Sequence, residues 1–211
     1  MHTELMREDP SRPSGDRPRP ERSRTDCPIL LSQRLVLRAP HEDDIDALAH
    51  LADNANIATM VARMPHPYTA ADAADFVRRT RAGAIGKCVY AITKADNGAF
   101  LGCCGIEPQD DDGQTVELGY WLGEPYWNQG YATEAAQALT DMVFRTREVD
   151  RIDARCRVMN IASRRVIQKC GFQFQATGMV QSLAVGGMVP VEWYRLDRKT
   201  WVSLKSWGNL G

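Results

Sequence analysis

The chain has 211 residues, of which 44% are hydrophobic and 25% are charged, and its formal net charge at pH 7 is -1. This size and composition predict one ordinary globular domain with a sizeable core. The near-neutral charge argues against nucleic acid as the main partner, and no apolar run is long enough to span a membrane, so we expect a cytoplasmic protein.

The cysteines and histidines do not occur at metal-binding spacings, since the sequence has no C-x-x-C and no H-x-x-x-H. We therefore predict no metal site. The cysteines are expected to be reduced, buried apolar side chains in a reducing cytoplasm. They are Cys27, Cys88, Cys103, Cys104, Cys156 and Cys170.

The N-terminal segment, residues 1–28, is rich in Pro, Arg, Ser and acidic residues and is nearly free of apolar ones. Such a composition cannot bury enough surface to offset the entropy of ordering, so it predicts a disordered arm. We expect the folded domain over residues 29–200 and a C-terminal tail over residues 201–211.

The first half of the domain predicts a strand, two helices and an antiparallel meander of three strands. Alternating residues predict a strand over Leu30–Arg38, an acidic pair then opens a helix, and Thr69 caps a second helix. The meander strands are expected at Val89–Thr93, Ala99–Ile106 and Thr115–Leu122. In the last strand, Glu117 is an unusual carboxylate among apolar residues, and Gly119 predicts a β-bulge.

The second half alternates predicted helices and strands. Apolar spacing predicts a helix over Thr133–Arg147, and Asn160 is a good N-cap for another helix that Gly171 ends. Further strands are expected at Arg151–Val158, Phe172–Val180 and Val189–Leu196, with a closing helix over Arg198–Trp207. This order predicts a single α+β domain with a mixed, mostly antiparallel twisted sheet and flanking helices.

The connection after the strand Thr115–Leu122 contains one glycine, Gly130, in the run W-N-Q-G-Y-A-T. A strand, a glycine-bearing turn and a helix N-terminus can cradle phosphate groups. The run lacks the G-x-x-x-x-G-K-[ST] of nucleotide-triphosphate loops, and it has too few glycines for a dinucleotide-binding turn. By itself it also fits an ordinary tight connection.

Three motifs occur in order along the chain: E-L-G-Y-W-L, W-N-Q-G-Y-A-T-E-A and N-I-A-S-R-R-V-I-Q-K-C-G-F. Together they resemble the GNAT family of N-acetyltransferases. Within it, the chain looks most similar to the RimJ and RimL branch, which acetylates the N-termini of ribosomal proteins. The resemblance implies the acyl-CoA N-acyltransferase (GNAT) fold, an acetyl-CoA cofactor, an amine acceptor and direct transfer in a ternary complex.

By this resemblance, the phosphate loop of the family falls on Gln129, Gly130, Tyr131, Ala132 and Thr133. The splayed strand of the family falls on Tyr120, Trp121 and Leu122, whose main chain would pair with the pantetheine arm and polarise the acetyl carbonyl. Asn160 would hold the pantetheine, and Ser163 would lie near the sulfur.

Glu117 is the candidate general base, because partial burial would raise its pKa toward the working range. The alternatives are a ligand for the substrate ammonium and a structural partner of a basic residue. Many relatives place a tyrosine acid seven residues after the asparagine, where this chain has Ile167. Ser163 is therefore the candidate that would protonate the leaving thiolate, directly or through water.

The acceptor pocket has no motif of its own. Its candidate lining residues are Tyr68, Tyr90, Trp121 and Glu117, although each aromatic residue also fits a core role. The expected acceptor is a protein N-terminal amine. The alternatives are a small amine such as an aminoglycoside or a polyamine, and a catalytically silent acyl-CoA-binding module. The sequence leaves a homodimer open and predicts no metal, nucleic acid or membrane as a partner.

Overall fold

A computed structural model describes residues 27–86, 88–111 and 113–208. The predicted disordered arm lies almost wholly outside these ranges, as does the end of the predicted tail, so the division into arm, domain and tail stays a prediction. The described residues form one mixed sheet of eight strands in the order β1-β2-β3-β4-β5-β6-β8-β7. The predicted α+β class with a mostly antiparallel sheet is confirmed.

The strands are β1 Leu30–Leu31, β2 Leu35–Arg38, β3 Cys88–Lys94, β4 Phe100–Pro108, β5 Thr115–Leu122, β6 Arg151–Arg157, β7 Gln173–Ser182 and β8 Gly187–Asp197. The α-helices are α1 Ile45–Ala52, α2 Ala55–Ala58, α3 Ala70–Arg81, α4 Tyr131–Thr146, α5 Ile161–Lys169 and α6 Arg198–Gly208. Short 3-10 turns precede α1 and α4. No helix within the described ranges is long and apolar enough to cross a membrane.

Local sequence accounts for most element boundaries. The Thr69 side chain accepts a hydrogen bond from the amide of Asp72, whose carboxylate accepts one in return from the Thr69 amide, so a capping box starts α3. The turn between β3 and β4 places Gly98 at φ +73°, as a tight hairpin requires. The single strand predicted over Leu30–Arg38 is instead the short hairpin β1–β2.

The glycines of β4 permit close contact with both neighbouring strands. A Cβ added at Gly102 would lie 2.2 Å from the carbonyl oxygen of Trp121, so no larger residue fits there. The bulge predicted at Gly119 was wrong, because β4 and β5 stay in regular register through the pair Gly105 and Gly119. That glycine pair lies at the point where β5 separates from β6, the strand on its other side.

Helices cover the two faces of the sheet and enclose two cores. On one face, α4 contributes Leu139 to the larger core, which also contains Leu118 of β5. On the other face, α1, α2 and α3 enclose a smaller core that includes Leu48 and Val77 and is flanked by Trp121. Side chains alternate along a strand, so each residue of β5 belongs to one of these two faces.

Two cysteines differ from the prediction. Cys27 and Cys88 form a disulfide, which connects the start of the described chain to β3. The expectation that all six thiols are reduced was therefore wrong for this pair, because residues 61 apart in sequence meet only in the fold. Cys103, Cys104, Cys156 and Cys170 are free and buried, as predicted.

Candidate active site

The strands β5 and β6 separate part of the way along the sheet. They pair in parallel from Thr115 with Arg151 as far as Leu118 with Ala154. Beyond this point β5 continues along β4 as far as Leu122, while β6 continues along β8 as far as Arg157. A wedge-shaped gap therefore opens between the two strands inside an otherwise continuous sheet.

Main-chain groups of β5 point into this gap. The Gly123 amide donates a hydrogen bond to the carbonyl of Leu101 on β4 at 2.8 Å. Because hydrogen-bonded and non-bonded pairs alternate in an antiparallel ladder, Tyr120 and Leu122 direct their main-chain groups away from β4. The indole Nε1 of Trp127 donates to the Leu122 carbonyl at 2.8 Å. Within the described residues, the amides of Tyr120 and Leu122 and the Tyr120 carbonyl face the gap beyond the end of the β5–β6 pairing, where an extended ligand can pair with them.

The N-terminus of α4 lies just beyond the end of β5. Gly130 is its N-cap at φ +82°, and no side chain caps the helix. The first bond into the helix runs from the Glu134 amide to the Gly130 carbonyl at 3.1 Å. Within the part of the chain that the structure describes, the amides of Tyr131, Ala132 and Thr133 donate to no protein acceptor. Such unpaired amides at a helix N-terminus favour an anion.

Arg34 of the β1–β2 hairpin holds this turn from outside. Its Nη1 donates to the carbonyl of Gln129 at 3.0 Å, and its Nε donates to Glu134 at 2.8 Å. Its guanidinium also lies 4.5 Å from the centre of the Tyr131 ring. The Gln129 carbonyl is thereby fixed on the protein side of the turn, and the positive charge of Arg34 is balanced by Glu134.

The N-terminus of α5 lies across the gap from β5. The Asn160 side chain accepts a hydrogen bond from the Ser163 amide at 3.0 Å, which caps the helix. The Ser163 Oγ lies 2.9 Å from the hydroxyl of Tyr120, whose ring points from β5 toward α5. Burial raises the pKa of the Tyr120 phenol well above its usual value. Tyr120 therefore stays protonated at physiological pH.

Glu117 lies on the opposite face of β5, toward α1, α2 and α3. Its Oε1 accepts a hydrogen bond from the Arg155 Nε at 2.7 Å. Its Oε2 lies 2.5 Å from an Arg155 Nη2 but has no partner in hydrogen-bonding geometry. Burial raises the pKa of Glu117, and Arg155 opposes part of that effect. The guanidinium of Arg155 is fixed in turn by the Trp193 ring, 4.8 Å away.

The aromatic residues predicted for the acceptor pocket divide between the two faces. Trp121 and Tyr68 are half-buried beside the smaller core, on the face of Glu117. Tyr90 is fully buried in the larger core, under α4. The prediction that Tyr90 lines the acceptor pocket was wrong, because the alternation along β3 turns its side chain to the other face of the sheet.

Three contributions at the site were absent from the sequence prediction: the Arg34 contact with the phosphate turn, the Arg155 pairing with Glu117, and the Tyr120 hydroxyl. Each depends on which strands are neighbours, and no local motif reports this. For Arg155 the sequence offered one weak signal. Asp153 and Arg155 are two residues apart on β6 and so share a face, which indicates that this face of the strand is charged.

A gap between parallel strands, flanked by two helix N-termini and lined by main-chain groups, can hold an extended ligand that carries phosphate groups. A family model described as an acetyltransferase (GNAT) domain matches residues 34–173. The chain therefore belongs to the GNAT acetyltransferases. YkkB, an uncharacterized protein of Bacillus subtilis, is 31% identical over 150 residues, which cover 70% of this chain and 87% of the relative.

Solved structures share the fold. A GNAT-family acetyltransferase from Bacillus anthracis superposes with a TM-score of 0.72 at 22% identity, over 81% of this chain and 99% of that one. RimL, described as a ribosomal alpha-N-protein acetyltransferase in complex with coenzyme A, gives a TM-score of 0.67 at 21% identity, over 80% and 97% of the two chains. The predicted membership of the GNAT family is confirmed, and solved structures named RimL and RimJ are among those that share the fold.

The enzyme is an acetyltransferase, and GNAT acetyltransferases use acetyl-CoA. The residues present suit this ligand. The unpaired amides at the start of α4 suit its diphosphate, and the unpaired β5 amides that face the gap suit the amide-bearing pantetheine arm. Gly130 has no side chain that would stand between the main chain of this turn and a bound phosphate.

Proposed function

We propose that this chain transfers the acetyl group of acetyl-CoA to a protein N-terminal α-amine, by direct attack while both substrates are bound. The observation that carries the proposal is the gap between β5 and β6, which opens beside the unpaired amides of α4. The thioester supplies an activated acetyl group there. A β5 amide facing the gap, from Tyr120 or Leu122, donates to the acetyl oxygen, where negative charge develops during attack.

In this proposal Glu117 accepts the proton that the acceptor ammonium loses, through a water molecule. Its burial favours this role, whereas its ion pair with Arg155 keeps the carboxylate less basic than an unpaired buried one. An α-amino group has a pKa of about 7.7–8.0, against about 10.4 for a lysine side chain. A moderate base therefore suits an α-amine better than a lysine or a polyamine.

Charge on the acceptor face supports the same choice. The carboxylates that β5 and β6 place on this face are paired with arginine: Glu117 with Arg155, and Asp153 with Arg195 at 2.7 Å. Glu107 at the rim is paired with Arg63 at 2.5 Å. A polycationic acceptor requires several unpaired acids. Among the described residues of β4, β5 and β6, the acids on this face are paired with arginine, so a polyamine or an aminoglycoside fits it less well.

On the other face of β5, we propose that Asn160 and Ser163 contact the thioester end of the pantetheine arm. Both residues lie in the first turn of α5, whose N-terminus favours negative charge on the sulfur as it leaves. Gln129, Gly130, Tyr131, Ala132 and Thr133 bind the diphosphate in this proposal. Trp121 and Tyr68 contact the acceptor.

The test combines binding and transfer. Acetyl-CoA at about 100 times its dissociation constant should stabilise the protein by roughly 2.7 kcal/mol in a thermal melt. Thiol release is then measured with peptides that differ only in a free or a blocked N-terminus, and with spermine and an aminoglycoside at equal concentration. We expect turnover only with free peptide N-termini.

The alternatives give different results. Turnover with spermine or the aminoglycoside but not with peptides would replace the N-terminal acceptor with a small amine. Stabilisation without turnover on any amine would indicate a silent acyl-CoA-binding module. The absence of any thermal shift would contradict the acetyl-CoA site itself.

A further inference from the structure

We infer that the Tyr120 hydroxyl is a positioning group for the leaving sulfur. It donates a hydrogen bond to Ser163 Oγ, so that the Ser163 hydroxyl proton is directed to the coenzyme A thiolate. This inference rests on the proposed direct transfer and deepens the role of Ser163.

The contact geometry carries the inference. The Tyr120 hydroxyl lies 2.9 Å from Ser163 Oγ and 3.2 Å from the Ser163 carbonyl oxygen. The Ser163 amide is occupied by the Asn160 side chain at 3.0 Å. Within the described residues, Tyr120 is the protein group that contacts Ser163 Oγ. The serine hydroxyl can therefore donate to Tyr120, whose own proton then goes to the Ser163 carbonyl, or it can accept that proton's hydrogen bond at Oγ.

The chemistry selects one of these two arrangements. As the bond from the acceptor nitrogen to the acetyl carbon forms, the carbon–sulfur bond breaks and its electron pair leaves on the sulfur. A negatively charged sulfur requires a donor, so the serine proton turns toward it, and Ser163 Oγ then accepts from Tyr120. Burial keeps the Tyr120 phenol protonated, so it remains a donor throughout.

Neither hydroxyl gives up its proton in this scheme. A thiol has a pKa near 8.5, below those of the phenol and the aliphatic hydroxyl, so the thiolate is the weaker base of the set. The thiolate is stabilised by the hydrogen-bond chain and takes a proton from solvent as it leaves. The acceptor proton passes to Glu117 and then to solvent, so the charges balance.

This arrangement also explains how the chain functions with Ile167 where many relatives have a tyrosine. Ile167 is buried in the larger core and presents no polar group. A phenol nevertheless reaches Ser163, from β5 instead of from α5. The tyrosine of the motif E-L-G-Y-W-L thus combines a main-chain role in the gap with a side-chain role at the sulfur.

The test is the affinity for coenzyme A and for desulfo-coenzyme A, which lacks the sulfur, measured by calorimetry on the full chain. Tyr120→Phe keeps the ring and removes the hydroxyl. We expect it to weaken coenzyme A binding at pH 9 about 2- to 10-fold, the effect of one hydrogen bond, and to leave desulfo-coenzyme A binding unchanged. Ser163→Ala should weaken coenzyme A binding at least as much, and the double variant should match Ser163→Ala alone.

Tyr194→Phe is the matched control, since Tyr194 is also buried and its hydroxyl donates to Glu192 at 2.9 Å. It should leave both affinities unchanged, and thermal melts should show all variants folded. A second readout is the ultraviolet absorbance of the bound thiolate against pH. Loss of the Tyr120 hydroxyl should raise the pKa of the bound thiol.

Three outcomes would overturn the inference. If Tyr120→Phe weakens both ligands equally, or fails to fold while Tyr194→Phe folds, the hydroxyl is structural. If Ser163→Ala weakens coenzyme A binding and Tyr120→Phe does not, Ser163 acts alone. If neither variant distinguishes the two ligands, the proposed role of Ser163 itself fails.

Discussion

Gly130→Ala tests how the turn before α4 is organised. Gly130 has φ +82°, a left-handed conformation that costs a residue with a side chain about 1–2 kcal/mol. The added Cβ would also lie 3.3 Å from the Arg34 Nη2, a tight contact with the guanidinium that holds the Gln129 carbonyl. We expect the turn of the variant to relax out of the left-handed conformation in the free protein. Acetyl-CoA binding must then restore that conformation, so the affinity should fall about 5- to 30-fold.

Calorimetry with acetyl-CoA measures this loss, and a thermal melt measures the accompanying change in stability. Gly186→Ala is the matched control, because Gly186 has φ +69° and open space around its added Cβ, in the turn between β7 and β8. Gly186→Ala introduces the same backbone strain at a turn outside the proposed acetyl-CoA site. It should leave the acetyl-CoA affinity unchanged, however much it lowers the unfolding free energy.

Equal acetyl-CoA affinities for the wild type and Gly130→Ala, within about twofold, would refute this reasoning. So would an equal loss of affinity in Gly130→Ala and Gly186→Ala. The first result would show that the turn does not bind the ligand in its observed conformation. The second would show that general destabilisation explains the effect.

Three further predictions follow from the ionised side chains. Glu117→Gln should lower kcat about 10²- to 10⁴-fold and leave acetyl-CoA affinity unchanged, as steady-state kinetics and calorimetry would show; unchanged kcat would exclude the base role. Burial raises the pKa of Glu117, so the acidic limb of kcat/KM against pH should lie above the usual glutamate pKa of about 4.3 and should disappear in the same variant. Burial acts against ionisation of Asp44. The hydrogen bonds from Arg38, both 2.7 Å long, one from the His41 amide at 2.7 Å and the positive charge of Arg38 together outweigh it and lower the pKa of Asp44. The ionised Asp44 therefore stabilises the folded protein. This contribution to the unfolding free energy is present above the unfolded-state pKa of about 3.9 and is lost as the pH falls through the lower folded-state pKa. Asp44→Asn should therefore lower the unfolding free energy at pH 7 by about 1.5–3 kcal/mol, a difference that must shrink in urea titrations below pH 4.

Local signals accounted for much of the fold and part of the site. The Thr69 and Asn160 caps, the hairpin turn at Gly98 and the helix after Gly130 were all predictable, because each depends on side chains within a few residues. The three motifs in order identified the family, which single-residue patterns did not. These successes concern backbone conformation over short distances.

The errors concern contacts between distant segments. Alternation along β3 predicts two faces but does not indicate which of them packs against α4. Tyr90 was therefore assigned to the acceptor face, whereas it lies in the larger core. The pairing of Cys27 with Cys88 required β3 to lie beside the N-terminal segment. The pairing of Arg155 with Glu117 required β5 and β6 to be parallel neighbours, which is a property of the whole sheet order.

The proposed diphosphate site at the start of α4 is tested most directly by the response of individual main-chain amides to acetyl-CoA, followed by nuclear magnetic resonance on the ¹⁵N-labelled chain. We expect large shifts at Gly130, Tyr131, Ala132 and Thr133, with smaller shifts at Tyr120 and Leu122. Removal of the diphosphate, by use of acetyl-pantetheine, should abolish the first set and keep the second. If saturating acetyl-CoA shifts other amide signals and leaves those of Gly130 to Thr133 unchanged, the start of α4 does not bind the diphosphate.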